Sequence, residues 1–291
     1  MGHVKVLMVV DMEGVSEITT PRVSWVWNGT EDWERFGRDR VTADVVAAGR
    51  GAVAGGAERV TVVEFHNQRN SVRPEALPEG VDLVRMDDYL VPLGGIRRDH
   101  GLLFMVGFHA KAGTPGILAH TVHDPVEDIR LNGVSVGEIG FFAASFGVLG
   151  LGLALVTGDR AACEEASALA RTVETAAVKE RLADGSETAL PLEEAVALIE
   201  ARAAAAVRRS SEAGVVDLGR PVRLEVRLRR PEMISFELPP YLERLDDRTL
   251  AAWAPDAYQA VSLYYSGLQP LYVPCVERLR ATEADPEASG P

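Results

Sequence analysis

The chain has 291 residues, 47% hydrophobic and 25% charged, with 43 acidic side chains against 30 basic ones and a net charge of −13. That length buries a sizeable core, as one large domain or two unequal ones, and the composition excludes a disordered or low-complexity chain. So acidic a surface repels phosphate backbones and anionic headgroups, and no apolar run reaches the roughly 18 residues of a membrane span, which argues against nucleic-acid and membrane partners.

The basic clusters, Arg208-Arg209 and the group Arg223, Arg227, Arg229 and Arg230, have acids close by and read as solvated faces. The opening Met1-Gly2-His3-Val4-Lys5 shows no secretory-signal pattern. Cys163 and Cys275 are far apart and form no metal-binding spacing. The expectation is a cytoplasmic, reduced protein with idle thiols.

In chain order, residues 4–10 form a buried-strand run, and residues 41–57 are Ala- and Gly-rich with helical spacing. Residues 59–65 and 101–108 predict two further strands. Residues 134–149 open as a short extended piece and become a helix rich in Phe and Ala. A strand follows at 151–157, a helix at 159–173 and a long helix at 192–211. Strands alternating with helices predict an α/β fold, mostly parallel sheet with flanking helices. The pattern then changes. Val222, Leu224, Val226 and Leu228 alternate with Arg223, Glu225, Arg227 and Arg229, as in an antiparallel strand with one wet face. The organisation expected is a catalytic domain over residues 1–214, a smaller C-terminal α+β unit over 215–281 that could serve oligomerisation, and a disordered tail over 282–291.

Three of these strands end in residues able to bind a metal. The first delivers Asp11 and Glu13, the second His66 and the third His109. In open α/β sheets, ligand sites form outside the carboxyl ends of the strands. Residues two apart in an extended segment share a side, so Asp11 and Glu13 can share an ion. Each feature alone also fits a cap, a solvated turn or a satisfied polar residue. Of the chain's six histidines, however, two sit at strand ends, and His120 and His123 lie just downstream of His109. Mixed imidazole and carboxylate donors suit Zn²⁺, with Mn²⁺ or Co²⁺ as alternatives, and this many donors allow two ions bridged by a carboxylate. Spacing alone leaves Glu138 open, since its flanking glycines serve a surface turn equally well. His3 and His100 read as surface residues, His123 as exposed, Lys111 as solvated, and the tryptophans of the segment 20–37 as core or interface.

The segments VVDMEGVS (9–16), EFHN (64–67), GFHAKAGTPGILAHT (107–121), RLNGVSVGEIG (130–140), VTGDRAACEEA (156–166) and TAAVKE (175–180) carry a resemblance. With a weaker match at 256–264, they make the chain similar to the zinc-dependent D-aminopeptidases over most of residues 4–267. The resemblance implies a metallo-aminopeptidase with two Zn²⁺ per subunit: Asp11 bridging, Glu13 and His109 on one ion, His66 and Glu138 on the other, and His120 as the catalytic histidine. It further implies short peptides with an N-terminal D-residue such as D-Ala as substrates, and a homo-oligomeric ring, a decamer. Where the chain departs from the pattern, at the tryptophan-rich segment 20–37 and the acidic stretch 122–128, the residues could border the substrate. A specialised metal-dependent amidase and a non-catalytic peptide-binding protein are the alternatives.

Overall fold

The first strand, β1 (Val4–Val10), sends Val6, Met8 and Val10 to one face and Leu7 and Val9 to the other, and all five are buried. A strand apolar on both faces is stable only where both are covered. In the computed structural model, which describes residues 4–21, 31–66, 70–84 and 101–284, β1 is accordingly an inner strand. It pairs in parallel with β2 (Ala57–Glu64) on one side and β4 (Leu102–Phe108) on the other. Beyond β2 lies β3 (Val81–Val84). Beyond β4 lie β7 (Gly152–Asp159), β8 (Glu174–Arg181) and the antiparallel edge strand β9 (Glu187–Ala189). The order is β3-β2-β1-β4-β7-β8-β9.

Helices α1 (Arg38–Ala54) and α4 (Leu192–Arg208) cover the Val6 face, with Val41, Val45, Ile199 and Ala203 in one core. The Leu7 face packs into a second core with α2 (Glu138–Gly147) and α3 (Arg160–Leu169), which share that core with a second sheet. That sheet is antiparallel, in the order β11 (Glu243–Arg244), β12 (Thr249–Ala254), β10 (Val222–Leu228), β5 (Val126–Leu131), β6 (Val134–Val136). Two further helices, α5 (Ala257–Leu263) and α6 (Gln269–Ala284), contribute Ala260, Tyr272 and Val276 to the same core. The architecture is thus α/β, as expected, with a second antiparallel sheet.

The alternation at 222–228 appears as read: Val222, Leu224, Val226 and Leu228 are buried, while Arg223 and Arg227 reach Glu243 and Asp246 at 3.2 and 3.1 Å. This sheet takes strands from both sides of the expected 214/215 boundary, because β5 pairs with β10 and carries β6 on its other side. The acidic stretch is also explained here. Glu127 pairs with Arg248 at 2.8 Å and Asp128 accepts a hydrogen bond from Ser135 Oγ at 2.6 Å, so both acids have partners within the second sheet. Helix α6 runs to Ala284, into the expected tail, and residues 285–291 lie outside the described residues. So do Trp25, Trp27, His3 and His100; Trp33 is buried in the core. Among the described residues no helix is long and apolar enough to cross a membrane.

The carboxyl end of β4 is packed closely against two glycines. A Cβ on Gly14 would fall 1.8 Å from the Phe108 carbonyl oxygen, and one on Gly158 would fall 1.9 Å from the same atom. Both contacts are with backbone, which cannot swing aside. Gly158→Ala is therefore expected to destabilise the protein by about 1–3 kcal/mol through overpacking. The midpoint of urea denaturation reads this directly, and an unchanged midpoint contradicts the close approach.

Candidate metal centre

Because β2, β1 and β4 are adjacent and parallel, their carboxyl ends open on one edge of the sheet. Asp11 still belongs to the ladder, its N–H donating to the Val106 carbonyl at 2.9 Å, and the chain then turns to present Glu13. His66 follows β2 and His109 follows β4. Glu138 arrives as the first residue of α2, and His120 comes from the loop after β4. All six residues singled out from the sequence meet at this edge.

Asp11 stands in the middle. Its Oδ1 is 3.2 Å from His66 Nδ1 and its Oδ2 is 3.4 Å from His109 Nε2. Glu13 Oε2 lies 3.1 Å from His66 Nδ1, and Glu138 Oε1 lies 3.2 Å from His109 Nε2 and 3.9 Å from His120 Nε2. The donors fall into two groups, Asp11–Glu13–His66 and His109–His120–Glu138, within each of which ligand atoms lie inside 4.8 Å of one another. The grouping differs from the pairing that the resemblance implied: Glu13 sits with His66 and Glu138 with His109. The two imidazoles come from opposite neighbours of β1, so each meets the carboxylate on its own side of Asp11.

Asp11, Glu13 and His109 are buried, and the cluster's electrostatics follow from that. Burial opposes ionisation of Glu13 and Glu138, yet the facing histidines outweigh it. Glu13 is held well below the usual carboxylate range by His66, and Glu138 is held down to about 2 by His109. Asp11 is pushed up, by burial first and by Glu13 second. Burial opposes the charged imidazoles too, but Glu13 drives His66 well above its ordinary value and Glu138 drives His109 up to about 10. Without a cation, protons on histidine hold the three carboxylates together.

The residues fit a metal better than they fit those protons. Asp11 Oδ2 and His109 Nε2 are buried and lack hydrogen-bond partners, although they lie 3.4 Å apart and Glu138 Oε1 is 3.2 Å from that nitrogen. Atoms that are close but unaligned with one another are what ligands aimed at a common third atom produce. The tautomers agree. His109 Nδ1 lies 3.0 Å from the Ala110 carbonyl and His120 Nδ1 lies 2.9 Å from the Leu118 carbonyl. A carbonyl only accepts, so each Nδ1 carries the hydrogen and each Nε2 turns to the carboxylates. The two rings stack with centroids 3.9 Å apart.

The loop bearing His120 is pinned along its length. Its backbone N–H donates to the Ala110 carbonyl at 3.2 Å, Ala112 N–H donates to Thr121 Oγ1 at 3.0 Å, and Ile117 N–H donates to Asp159 Oδ2 at 2.8 Å. Thr114-Pro115-Gly116 forms a turn, with Gly116 N–H on the Thr114 carbonyl. Leu118 and Val122, on either side of His120, adopt left-handed φ values of 55° and 60°. That conformation is costly for Leu and more so for β-branched Val. It places the Val122 N–H 2.7 Å from Glu138 Oε1.

Sequence reasoning missed several residues that support the site. Lys179 is buried on β8, and its ammonium donates to the carbonyls of Glu13 at 2.6 Å, Val15 at 2.9 Å and Ile18, fixing the turn that carries Glu13. Burial lowers it to about 8. Asp44 accepts from Ser16 N–H at 2.9 Å, and burial raises its carboxyl to about 6. The one available signal was charge inside otherwise apolar segments. Lys111 proves engaged rather than solvated, with Nζ 2.8 Å from Ser135 Oγ. His123, expected to be exposed, is half-buried against the Gln269 side chain.

Buried imidazoles and carboxylates at the carboxyl edge of a parallel sheet, with one accessible histidine beside them, define the form of a metallohydrolase centre. The comparisons give the family. The family described as D-aminopeptidase matches residues 4–265, and a Bacillus subtilis (strain 168) protein named D-aminopeptidase is 31% identical over 210 residues, covering 72% of this chain and 75% of its own. The solved structure of a Zn-dependent D-aminopeptidase, DppA from Bacillus subtilis, described as a self-compartmentalizing protease, superposes with a TM-score of 0.83. It is 25% identical and covers 94% of this chain and 97% of its own. The chain belongs to the D-aminopeptidase family, and is a peptidase of that family.

Metal binding should release protons. His66 and His109 are held protonated at neutral pH in the metal-free protein, whereas ligation needs the neutral imidazole. Adding Zn²⁺ at pH 7 is therefore expected to displace about two protons per chain, and affinity should fall as pH falls. Calorimetric titration in buffers of different ionisation enthalpy measures the release. Heats independent of the buffer contradict it.

Proposed function

We propose that this chain is a two-zinc aminopeptidase that removes an N-terminal D-residue from short peptides. The observation that carries the reading is Asp11 standing between two buried groups of donors, Glu13 with His66 and Glu138 with His109. Asp11 would contact both ions, Glu13 and His66 would hold one, and His109 and Glu138 the other. Bound there, zinc supplies Lewis acidity that polarises the scissile carbonyl and makes water nucleophilic near neutral pH.

The remaining chemistry falls to the protein. His120 is the most accessible of these side chains, at 21% exposure, and presents Nε2 to the site while Nδ1–H is fixed on the Leu118 carbonyl. It can accept a proton at Nε2 and return it to the leaving amine, a role worth roughly 10²–10⁴-fold in rate. The buried walls keep bulk water from competing. Preference for D-residues is supported by the family and by the names of its relatives. Assembly as a homo-oligomer, with ten chains as the number the resemblance implies, is supported by the self-compartmentalizing neighbour. A cytoplasmic setting accords with Cys163 and Cys275, which are free and buried.

The test compares D-Ala and L-Ala p-nitroanilides with zinc-loaded, chelator-treated and His120→Ala protein. The reading predicts cleavage of the D-isomer, its loss on chelation with recovery on zinc, and a fall of about 10²–10⁴-fold in kcat for His120→Ala. Equal cleavage of the L-isomer contradicts the stereochemical claim, and turnover that survives chelation contradicts the metal.

A further inference from the structure

None of the six clustered residues lies in the segments 156–166 and 175–180, although both carry the resemblance. Lys179, in the second segment, fastens the turn that presents Glu13. The first segment holds the start of α3, whose Glu165 side chain points at a different part of the centre.

The Glu165 carboxylate accepts two backbone N–H groups, from Lys111 at 2.9 Å on Oε2 and from Gly137 at 3.0 Å on Oε1. Lys111 is two residues after His109, and Gly137 immediately precedes Glu138. One side chain thereby ties the exit of β4 to the entry of α2, the two backbones that deliver His109 and Glu138. The approach leaves no slack: a Cβ on Gly137 would fall 2.6 Å from Glu165 Oε1 and 2.7 Å from Lys111 Cβ. The other donors hang on separate supports. The Glu13 turn is held by Lys179 and Asp44, and the segment after His66 is held by Glu64, whose Oε1 accepts Ser71 N–H and Val72 N–H, both at 2.7 Å.

We propose that Glu165 is a positioning residue for one metal position only, that of His109 and Glu138, and that the position of Glu13 and His66 is built independently of it. The proposal rests on the two-zinc reading. Its physical basis is that both amides need an acceptor. In Glu165→Gln one end of the side chain becomes an NH₂, a donor, which must face an N–H group. In Glu165→Asp the charge is kept, but the chain is one methylene shorter and reaches a single amide. Either change frees His109 and Glu138 to drift apart and leaves Glu13 and His66 untouched.

The experiment is Co²⁺ titration of metal-free wild type, Glu165→Gln and Glu165→Asp, followed by visible absorbance, with equilibrium dialysis against Zn²⁺ for stoichiometry and circular dichroism to check the fold. Wild type is expected to take up two ions. Both variants should keep one ion at wild-type affinity and bind the other about 10–100-fold more weakly, the usual effect of losing a residue that orients a ligand. If Glu165→Gln does not fold, Glu165→Asp decides. Two ions bound as tightly as in wild type, or both weakened alike, overturn the proposal. A wild type that takes up a single ion defeats the two-zinc reading instead, and the proposal with it, so the wild-type titration tells the two failures apart.

Discussion

Three carboxylates buried within a few ångströms of one another repel unless positive charge stands between them, and the centre of this protein is organised by that requirement. Asp11 and Glu13 come from the end of β1 and Glu138 from the start of α2, and His66 and His109 stand between them. Each ionised group here has lost most of its hydration, a loss worth several kcal/mol per ion unless partners replace it. Protons on histidine can meet the demand. A divalent cation would meet it more fully, and would also use the His109 nitrogen and the Asp11 oxygen that lack a hydrogen bond. The sheet makes the convergence possible. β1 lies between two parallel neighbours, so one edge collects ligands from all three strands at nearly the same height.

Ligands aimed at a point bind well only if their backbones cannot relax, and much of the surrounding structure serves that rigidity. Charged side chains receive or donate hydrogen bonds to backbone near the ligands: the buried Lys179 below Glu13, the half-buried Glu165 between His109 and Glu138, and the buried Asp159 on the loop that leads to His120. Such bonds cost little reorganisation because each partner is already held by the fold. The left-handed residues around His120 fit the same scheme. Their strain is compensated by the loop's hydrogen bonds, and Val122 thereby brings its N–H to Glu138. The apolar layers on both faces of the main sheet keep this framework from moving.

How much of this the sequence disclosed follows from what each residue type signals. Strand ends were legible because apolar runs stop abruptly at Asp11, His66 and His109, and the wet-faced strand was legible because β10 alternates without a break. β5 was hidden: Pro125 and the acids at 127 and 128 obscure Val126, Ile129 and Leu131, and their cross-strand arginines are remote in sequence. The four-residue β3 is too short to give a period. Lys179 and Glu165 were hidden for a different reason. A charged residue in a strand or an Ala-rich helix reads as solvated, and only the fold reveals that its partners are backbone groups far along the chain. Which donors stand together was likewise beyond spacing, since it depends on which side of β1 each neighbour lies.

The central claim is that one buried edge holds two ions with Asp11 between them. Anomalous X-ray scattering at the zinc edge, recorded on zinc-loaded crystals, tests it most directly. The account predicts two peaks roughly 3.5–4 Å apart, one against Glu13 and His66 and the other against His109 and Glu138. A single peak, or zinc placed away from Asp11, would contradict it.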